Sequence, residues 1–292
     1  MARHASMGCF DGRYDLAIVN HNETMRSLRR AAVRSRIMVI HGVVPALEWP
    51  VLGADAYVSV SEYVASFVPV RSTVIGNPID VDHFVPTGAV NSTLTRVAMV
   101  SNHESPATEI LQEACSRLGV ELDLVGLNTK LGPTSDPKSA MDAADLVVGV
   151  GRTALEAMAC GRNVYCMGPR GADGMITWGN VDELARWNFN GAKSGALPTA
   201  GRLAAGLAAG YDPSRSLRGY VVAHHAPGVV AQQYLDLAES VGWRQRVFPA
   251  LARRGPKALM SPRMMTALDP LLREWQGRTA RDGRPGVLSA LG

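Results

Sequence analysis

The residues best placed to do chemistry lie in one run, Asp145-Leu-Val-Val-Gly-Val-Gly-Arg-Thr-Ala-Leu-Glu-Ala-Met-Ala-Cys-Gly161. An apolar stretch stops at Gly149 and Gly151, and a helix-forming stretch follows at once with one carboxylate, Glu156, inside it. A buried strand that feeds a helix through a glycine turn leaves backbone N–H groups at the mouth of a sheet, where an anion can sit. Arg152 adds positive charge beside that turn, and Thr153 follows it. Glu156, about one helical turn further in, is placed to accept hydrogen bonds from a sugar hydroxyl. The combination predicts a nucleotide-sugar site. The plain alternative is the tight strand-to-helix turn of any α/β protein, because a glycine pair alone is a weak motif.

Two further groups are candidates. The glycine-rich run Gly168-Pro-Arg-Gly-Ala-Asp-Gly174 follows a strand, so Gly171, Asp173 and Gly174, with Arg170, would line a sugar pocket at the carboxyl edge of the sheet. A flexible turn is the competing reading. His21 and His41 stand at strand ends. His41 is the favoured cleft residue because Gly42 leaves the backbone room beside it, with Asn22 and Glu23 nearby; hydrogen-bonded loop histidines are the alternative. Glu23 could equally be a first-turn acid favoured by the helix dipole. His83 reads as structural. His224-His225 has no carboxylate at ligand spacing, and the pairs Asp80/Asp82 and Glu121/Asp123 are poor metal candidates, so no metal site is predicted.

Positioning these residues takes strands alternating with helices, the pattern of parallel sheets with crossover connections. In the first half, strands are expected at 16–19, 37–40, 57–60 and 73–75, with helices over 23–33 and 62–68. Gly76-Asn-Pro-Ile-Asp-Val-Asp-His-Phe-Val-Pro86 breaks the rhythm and reads as the connection out of the first sheet, continued by a polar linker. The second half offers strands at 97–100, 121–125, 146–148 and 164–167. Ser105-Pro106 opens a helix that Gly119 stops, and Asp136-Pro137 opens a short one through Ala144. Asn180 and Glu183 have the spacing of a capping box for a helix to about Trp187. Two more helices are expected over 201–209 and 216–239, the latter interrupted at Pro227. The first half offers four strand candidates, fewer than the roughly six of a full doubly wound domain. The expected division is therefore a reduced first domain over 1–86, a second domain over 87–242 and a basic helical tail over 243–292.

Composition agrees with two α/β domains. A chain of 292 residues with 47% apolar and 19% charged residues can bury a sizeable core. No apolar run approaches the ~20 residues that span a bilayer, and the first residues lack the apolar core of a secretory signal. The four cysteines, Cys9, Cys115, Cys160 and Cys166, have neither zinc-ligand nor disulfide-scaffold spacing, which points to the reducing cytoplasm. The net charge of +4 concentrates between positions 244 and 284, around Arg253-Arg254 and Lys257. A solvated tail is the first reading. A patch facing anionic lipid at the inner membrane face, or a polyanionic acceptor, is the second. Aromatics are not interleaved with that charge, so nucleic acid is not an expected partner.

Glu156-Ala-Met-Ala-Cys-Gly161 resembles the C-terminal segment of GT-B glycosyltransferases, especially the large retaining family of the glycogen-synthase and sucrose-synthase type. Ala54-Asp-Ala-Tyr-Val-Ser-Val-Ser-Glu62 is similar to the segment that closes that family's N-terminal domain, and the run from Gly76 to Pro86 to its interdomain linker. Asn20-His-Asn22 and His41-Gly42 fall at its histidine-bearing strand ends. Asp-Gly-Met-Ile-Thr177 and Asn188-Phe-Asn-Gly191 resemble a bacterial subgroup. The patches run in the family's order from about residue 14 to 240.

The resemblance implies two Rossmann-like domains facing a cleft, with the N-terminal one reduced. It implies transfer of a sugar, with retention, from a nucleoside-diphosphate sugar to a saccharide or lipid-linked acceptor in polysaccharide or glycoconjugate synthesis. No cofactor or metal beyond the donor substrate is implied. By the same resemblance Glu156 holds the ribose, and His41 and Asn22 act on the acceptor side; the reading of the residues themselves puts Gly149, Gly151, Arg152 and Thr153 at the diphosphate and Gly171, Asp173 and Gly174 near the sugar. Two departures stand out. The family's second glutamate, eight positions before Glu156, is here Val148, and the Arg and Lys after the first C-terminal strand are replaced by Ser101-Asn-His-Glu-Ser-Pro106. Arg152 and His103 are the residues that would compensate. A non-catalytic nucleotide-sugar-binding partner of a complete transferase, and a GT-B sugar-nucleotide epimerase, are the alternatives.

Overall fold

The structure, a computed structural model, describes residues 13–28, 31–42, 46–51, 53–102, 105–126, 132, 134 and 136–241. The described residues form two compact units, 13–76 with 231–241, and 77–230.

In the first unit four strands pair in parallel in the order β1-β2-β3-β4. They are β1 (Arg13–Val19), β2 (Ala32–Ile40), β3 (Ala56–Ser59) and β4 (Thr73–Val74). Helix α1 (Asn22–Ser27) follows β1 and α2 (Glu62–Phe67) follows β3. Ser61 starts α2 by accepting the Val64 N–H on its hydroxyl at 3.1 Å, which satisfies one orphan donor of the first turn. The helix expected over 23–33 is shorter, because Ala32 and Val33 pair with Arg13 and Tyr14 and so belong to β2. Arg36 holds this junction. Its buried guanidinium donates to the carbonyls of Leu28, Ala31 and Val33, while its own N–H donates to Asp55 at 2.8 Å. Side chains alternate across the sheet, so Ser35 lies on the opposite face and donates to the Ala238 carbonyl.

The second unit carries the order β6-β5-β7-β8-β9. Strands β5 (Arg96–Val100), β6 (Glu121–Val125), β7 (Leu146–Gly149) and β8 (Asn163–Gly168) are parallel, and β9 (Gly171–Met175) runs antiparallel to β8. Both faces are covered, as parallel sheets require. Val97, Met99, Leu146 and Val148 pack under α3 (Pro106–Leu118) and α7 (Ala200–Gly210). Ala98 and Val147 face α5 (Arg152–Ala159) and α8 (Arg218–His225). The helix opened by Pro106 ends at Gly119, whose φ of 66° is the left-handed stop glycine favours. Helix α4 (Lys138–Ala143) and α6 (Val181–Arg186) complete the layers.

Two boundaries and one helix cap differ from the sequence reading. Residues 77–86 pack within the second unit, because Ile79, Val81 and Phe84 are buried in its core. Arg218 pins that segment by donating to the carbonyls of Val81, Phe84 and Ala159. Helix α9 (Pro227–Ser240) begins in the second unit and continues in the first. The Asn180–Glu183 capping box does not form. Asn180 instead accepts the Thr177 N–H and donates to the Met175 carbonyl, while Glu183 pairs with Lys193 at 2.6 Å. The tail expected over 243–292 lies outside the described residues.

Candidate functional site

Sheet order fixes where a ligand can enter the second unit. From β5 the chain crosses outward to β6 and then back past β5 to β7. The connections therefore diverge between the carboxyl ends of β5 and β7, the switch point at which open α/β sheets form a crevice. Ser101 and Asn102 follow β5 there, and Gly149 ends β7 with Val150 and Gly151 following.

The β7 end is held from both sides. At its start the buried Asp145 accepts from Asn91 twice, from Thr95 twice and from the Arg96 N–H. Burial pushes this carboxyl up, yet those hydrogen bonds outweigh burial and hold it at about 2. At its far end a Cβ on Gly149 would stand 2.6 Å from the Thr153 methyl, so only glycine lets α5 pack this close. Gly151 has φ 56° and ψ −123°, a conformation open to glycine alone. Its N–H donates to the Phe189 carbonyl at 2.8 Å. The N–H groups of the next residues open α5 and have no intrahelical acceptor.

Glu156 lies one turn along α5. Its side chain is 9% exposed, and its Oε1 accepts from Arg152 Nε at 2.7 Å, whereas the Arg152 side chain is 66% exposed. Burial raises the Glu156 carboxyl above its ordinary range; the Arg152 hydrogen bond and charge pull it partly back, Asp136 raises it and His83 lowers it. His83 and Asp136 are hydrogen-bonded to each other at 3.1 Å. Asp136 is held low by the Lys138 N–H first and by His83 second. The sequence reading missed this neighbourhood, since nothing in the spacing of 83 and 136 brings them together. Chemically, the arrangement offers a buried acceptor for a hydroxyl, an exposed guanidinium and the positive end of a helix, all on one turn.

The other expected residues are placed differently. Gly171, Asp173 and Gly174 are not in a flexible loop: they form β9 on the sheet edge. Gly171 is required because its Cβ would stand 2.6 Å from the Gly191 carbonyl oxygen, and Gly191 is equally tight against Gly171. Asp173 accepts the Ser194 N–H at 2.8 Å, which ties β9 to the 191–196 loop. A five-residue strand holding two glycines and an aspartate shows no alternation of apolar and polar residues. In the first unit, His41 Nε2 is 3.2 Å from Asn20 Oδ1. Asn22 is buried at 3% exposure, donates to the Trp49 carbonyl and accepts from Arg26. The structure therefore brings Asn20, rather than Asn22, to His41. His224 packs on Tyr220, and His225 Nδ1 bonds the Asn77 carbonyl at 2.9 Å. His103 lies outside the described residues. Among the described residues no group of three or more His, Cys, Asp or Glu side chains could hold a metal ion, and no helix is long and apolar enough to cross a membrane.

No protein-family profile matches the chain, and no curated protein does. Solved structures do. The chain is similar to Anabaena HepE in complex with UDP and glucose, at 15% identity and a TM-score of 0.53, over 77% of this chain and 78% of that one. It is also similar to the same protein in complex with UDP-glucose, at 16% identity and a TM-score of 0.51, over 77% and 79% of the two chains. At this identity the likeness defines the fold: α/β, with two Rossmann-like units of the GT-B kind.

Proposed function

We propose that the protein is a glycosyltransferase whose second unit binds a nucleoside-diphosphate sugar. The reading rests on Glu156, a buried carboxylate behind a glycine-only turn at the switch point of that unit's sheet. A fold similar to HepE, crystallised with UDP and glucose and with UDP-glucose, supports it. In this reading Glu156 accepts from the ribose hydroxyls, and the α5 amino end with Arg152 faces the diphosphate. The sugar lies toward Asp173, Gly171 and Gly174. Transfer breaks the bond between the sugar C1 and the phosphate oxygen, forms one from C1 to an acceptor oxygen, and releases the acceptor proton and the nucleoside diphosphate. Negative charge grows on the leaving diphosphate, where a guanidinium and helix amides stabilise it without a bound metal. The carboxyl edge of the first unit, with His41 and Asn20, is the acceptor side, and Asn22 supports it from within. Assignment to the retaining family of the glycogen-synthase type, with retention and a saccharide or lipid-linked acceptor, belongs to the same proposal.

A second reading is a binding partner that turns nothing over. Val148, fully buried where the resembled family carries a second glutamate, favours it. Incubation with UDP-glucose and other nucleotide sugars, with and without oligosaccharide acceptors, decides between them. Release of nucleoside diphosphate that Glu156→Gln abolishes supports the transferase. Binding without release supports the partner, and absence of binding to every nucleotide sugar refutes both.

A further inference from the structure

Arg152 gives Glu156 only its inner nitrogen, Nε. A guanidinium carries five N–H donors in a rigid plane, so this contact leaves the four on Nη1 and Nη2. No other described residue takes them as an ion pair or hydrogen bond. The carboxylate is buried and the guanidinium exposed, so the inner end of Arg152 is fixed while its outer fork meets solvent. Pairing through one carboxylate oxygen also leaves the other, Oε2, as the acceptor for a hydroxyl. One i, i+4 pair on α5 thus presents an acceptor and a two-pronged donor in a fixed relation. A fork of this kind matches two oxygens of a phosphate.

Resting on the nucleotide-sugar reading above, we propose that Arg152 and Glu156 act as a single recognition unit in which Glu156, besides meeting the ribose, orients the Arg152 fork onto the diphosphate. The pair is then what separates nucleoside diphosphates from bare nucleosides. Glu156 has two roles, binding and positioning. Arg152 returns the second by offsetting the burial that raises the Glu156 carboxyl. The other charged groups felt by Glu156 are Asp136 and His83, which pair with each other.

The test is the ratio of dissociation constants for uridine and UDP, measured by calorimetry on the full chain. The variants are Arg152→Met, Arg152→Lys, Glu156→Leu, Glu156→Gln and the double variant Arg152→Met/Glu156→Leu. General damage to α5 weakens both ligands and leaves the ratio alone. A lost bidentate charged contact lowers the ratio by about tenfold or more in Arg152→Met. Glu156→Leu lowers it comparably, and the double variant lowers it no further than the larger single effect. Arg152→Lys restores less than half of the loss on a logarithmic scale, because a lysine has no fork. Glu156→Gln, which keeps the shape of the side chain, falls between wild type and Glu156→Leu. An unchanged ratio in Glu156→Leu, or strictly additive losses, overturns the proposal while leaving the nucleotide site standing. Failure of the unmodified protein to bind UDP or any UDP-sugar removes the nucleotide reading, and the proposal with it.

Discussion

Asp145 permits a worked test of how the site is held. Its two oxygens accept five hydrogen bonds, from Asn91 N–H and Nδ2, Thr95 N–H and Oγ1, and Arg96 N–H. They tie the approach to β5 to the first residue before β7, and so fix the strand that delivers Gly149, Gly151 and Arg152. The folded carboxyl lies at about 2 against an ordinary 3.8. That gap is worth about 2.5 kcal/mol at neutral pH. The residue is 2% exposed, so solvent screening does not reduce it much. Because the folded value is depressed, the stabilisation is fully present well above 3.8 and is lost as pH falls through the folded value near 2. Asp145→Asn removes the charge and turns one acceptor into a donor facing donors, which adds about 1 kcal/mol. The variant is therefore expected to be less stable by about 3–4 kcal/mol near pH 7. Linkage then gives a signature that cavity or packing effects lack. By about pH 3 the wild-type protein has lost about 1 kcal/mol of the Asp145 contribution while the variant has none to lose, so the gap narrows by that amount. Urea unfolding of both proteins near pH 7, 5 and 3 measures it. A gap that stays constant across this range refutes the assignment of the stabilisation to the ionised carboxylate.

Two further perturbations probe the frame. Gly151→Ala meets no atom closer than the Asn188 carbonyl oxygen at 3.8 Å, so its whole cost is backbone strain. That cost is about 1–3 kcal/mol, or a fall of roughly 2–10 °C in thermal midpoint, and on the proposed nucleotide-sugar reading weaker UDP binding as well; Gly88→Ala, in open space, is the control, and equal behaviour of the two refutes the reading. Arg218→Met removes the donor to the Val81, Phe84 and Ala159 carbonyls. It should cost about 2–4 kcal/mol and speed protease cleavage within 77–86, and an unchanged cleavage rate there would show that the segment is held by its apolar side chains alone.

Much of the second unit was legible because its strands are buried runs bounded by clear punctuation. Pro106 and Gly119 marked the ends of α3, and Gly149 and Gly151 marked the β7–α5 turn. What failed did so for tertiary reasons. Ala31-Ala32-Val33 continues a helical pattern locally, but pairing with β1 recruits Ala32 and Val33 into a strand. Gly171–Met175 looked like a loop because its glycines serve close backbone packing against residues 191–196. The segment 77–86 has the prolines of a linker, yet Ile79 and Phe84 are core residues, which periodicity cannot reveal over so short a stretch. At the site, Glu156 and Arg152 were readable as neighbours at i, i+4. The His83–Asp136 pair was not, since it joins residues far apart in sequence.

The placement of Arg152 follows from what the turn has already spent. After α6 the chain adopts the left-handed conformation at two non-glycine residues, Asn188 (φ 55°) and Phe189 (φ 48°). Each costs about 1–2 kcal/mol. The Phe189 ring is 1% exposed in the core, and burying it returns about 2–3 kcal/mol, which offsets most of that cost. The kink aims the Phe189 carbonyl at the Gly151 N–H, which satisfies a donor that a bare glycine turn would have offered to an anion. What remains is the opening turn of an eight-residue helix, whose dipole contributes only about 0.3–1 kcal/mol toward a bound anion. A charged, forked hydrogen bond is worth about 1.5–3 kcal/mol, so on the proposed nucleotide-sugar reading the side chain at position 152 contributes more than the helix dipole. That position is the first residue of α5, one turn ahead of the buried carboxylate that can hold it. Ser101-Asn-His-Glu-Ser-Pro106 stands where the resembled family has its Arg and Lys, and the proposed reading assigns that anion-binding role to Arg152 at the start of α5. If the site takes a diphosphate as proposed, the residue that meets it depends on Glu156 for its position.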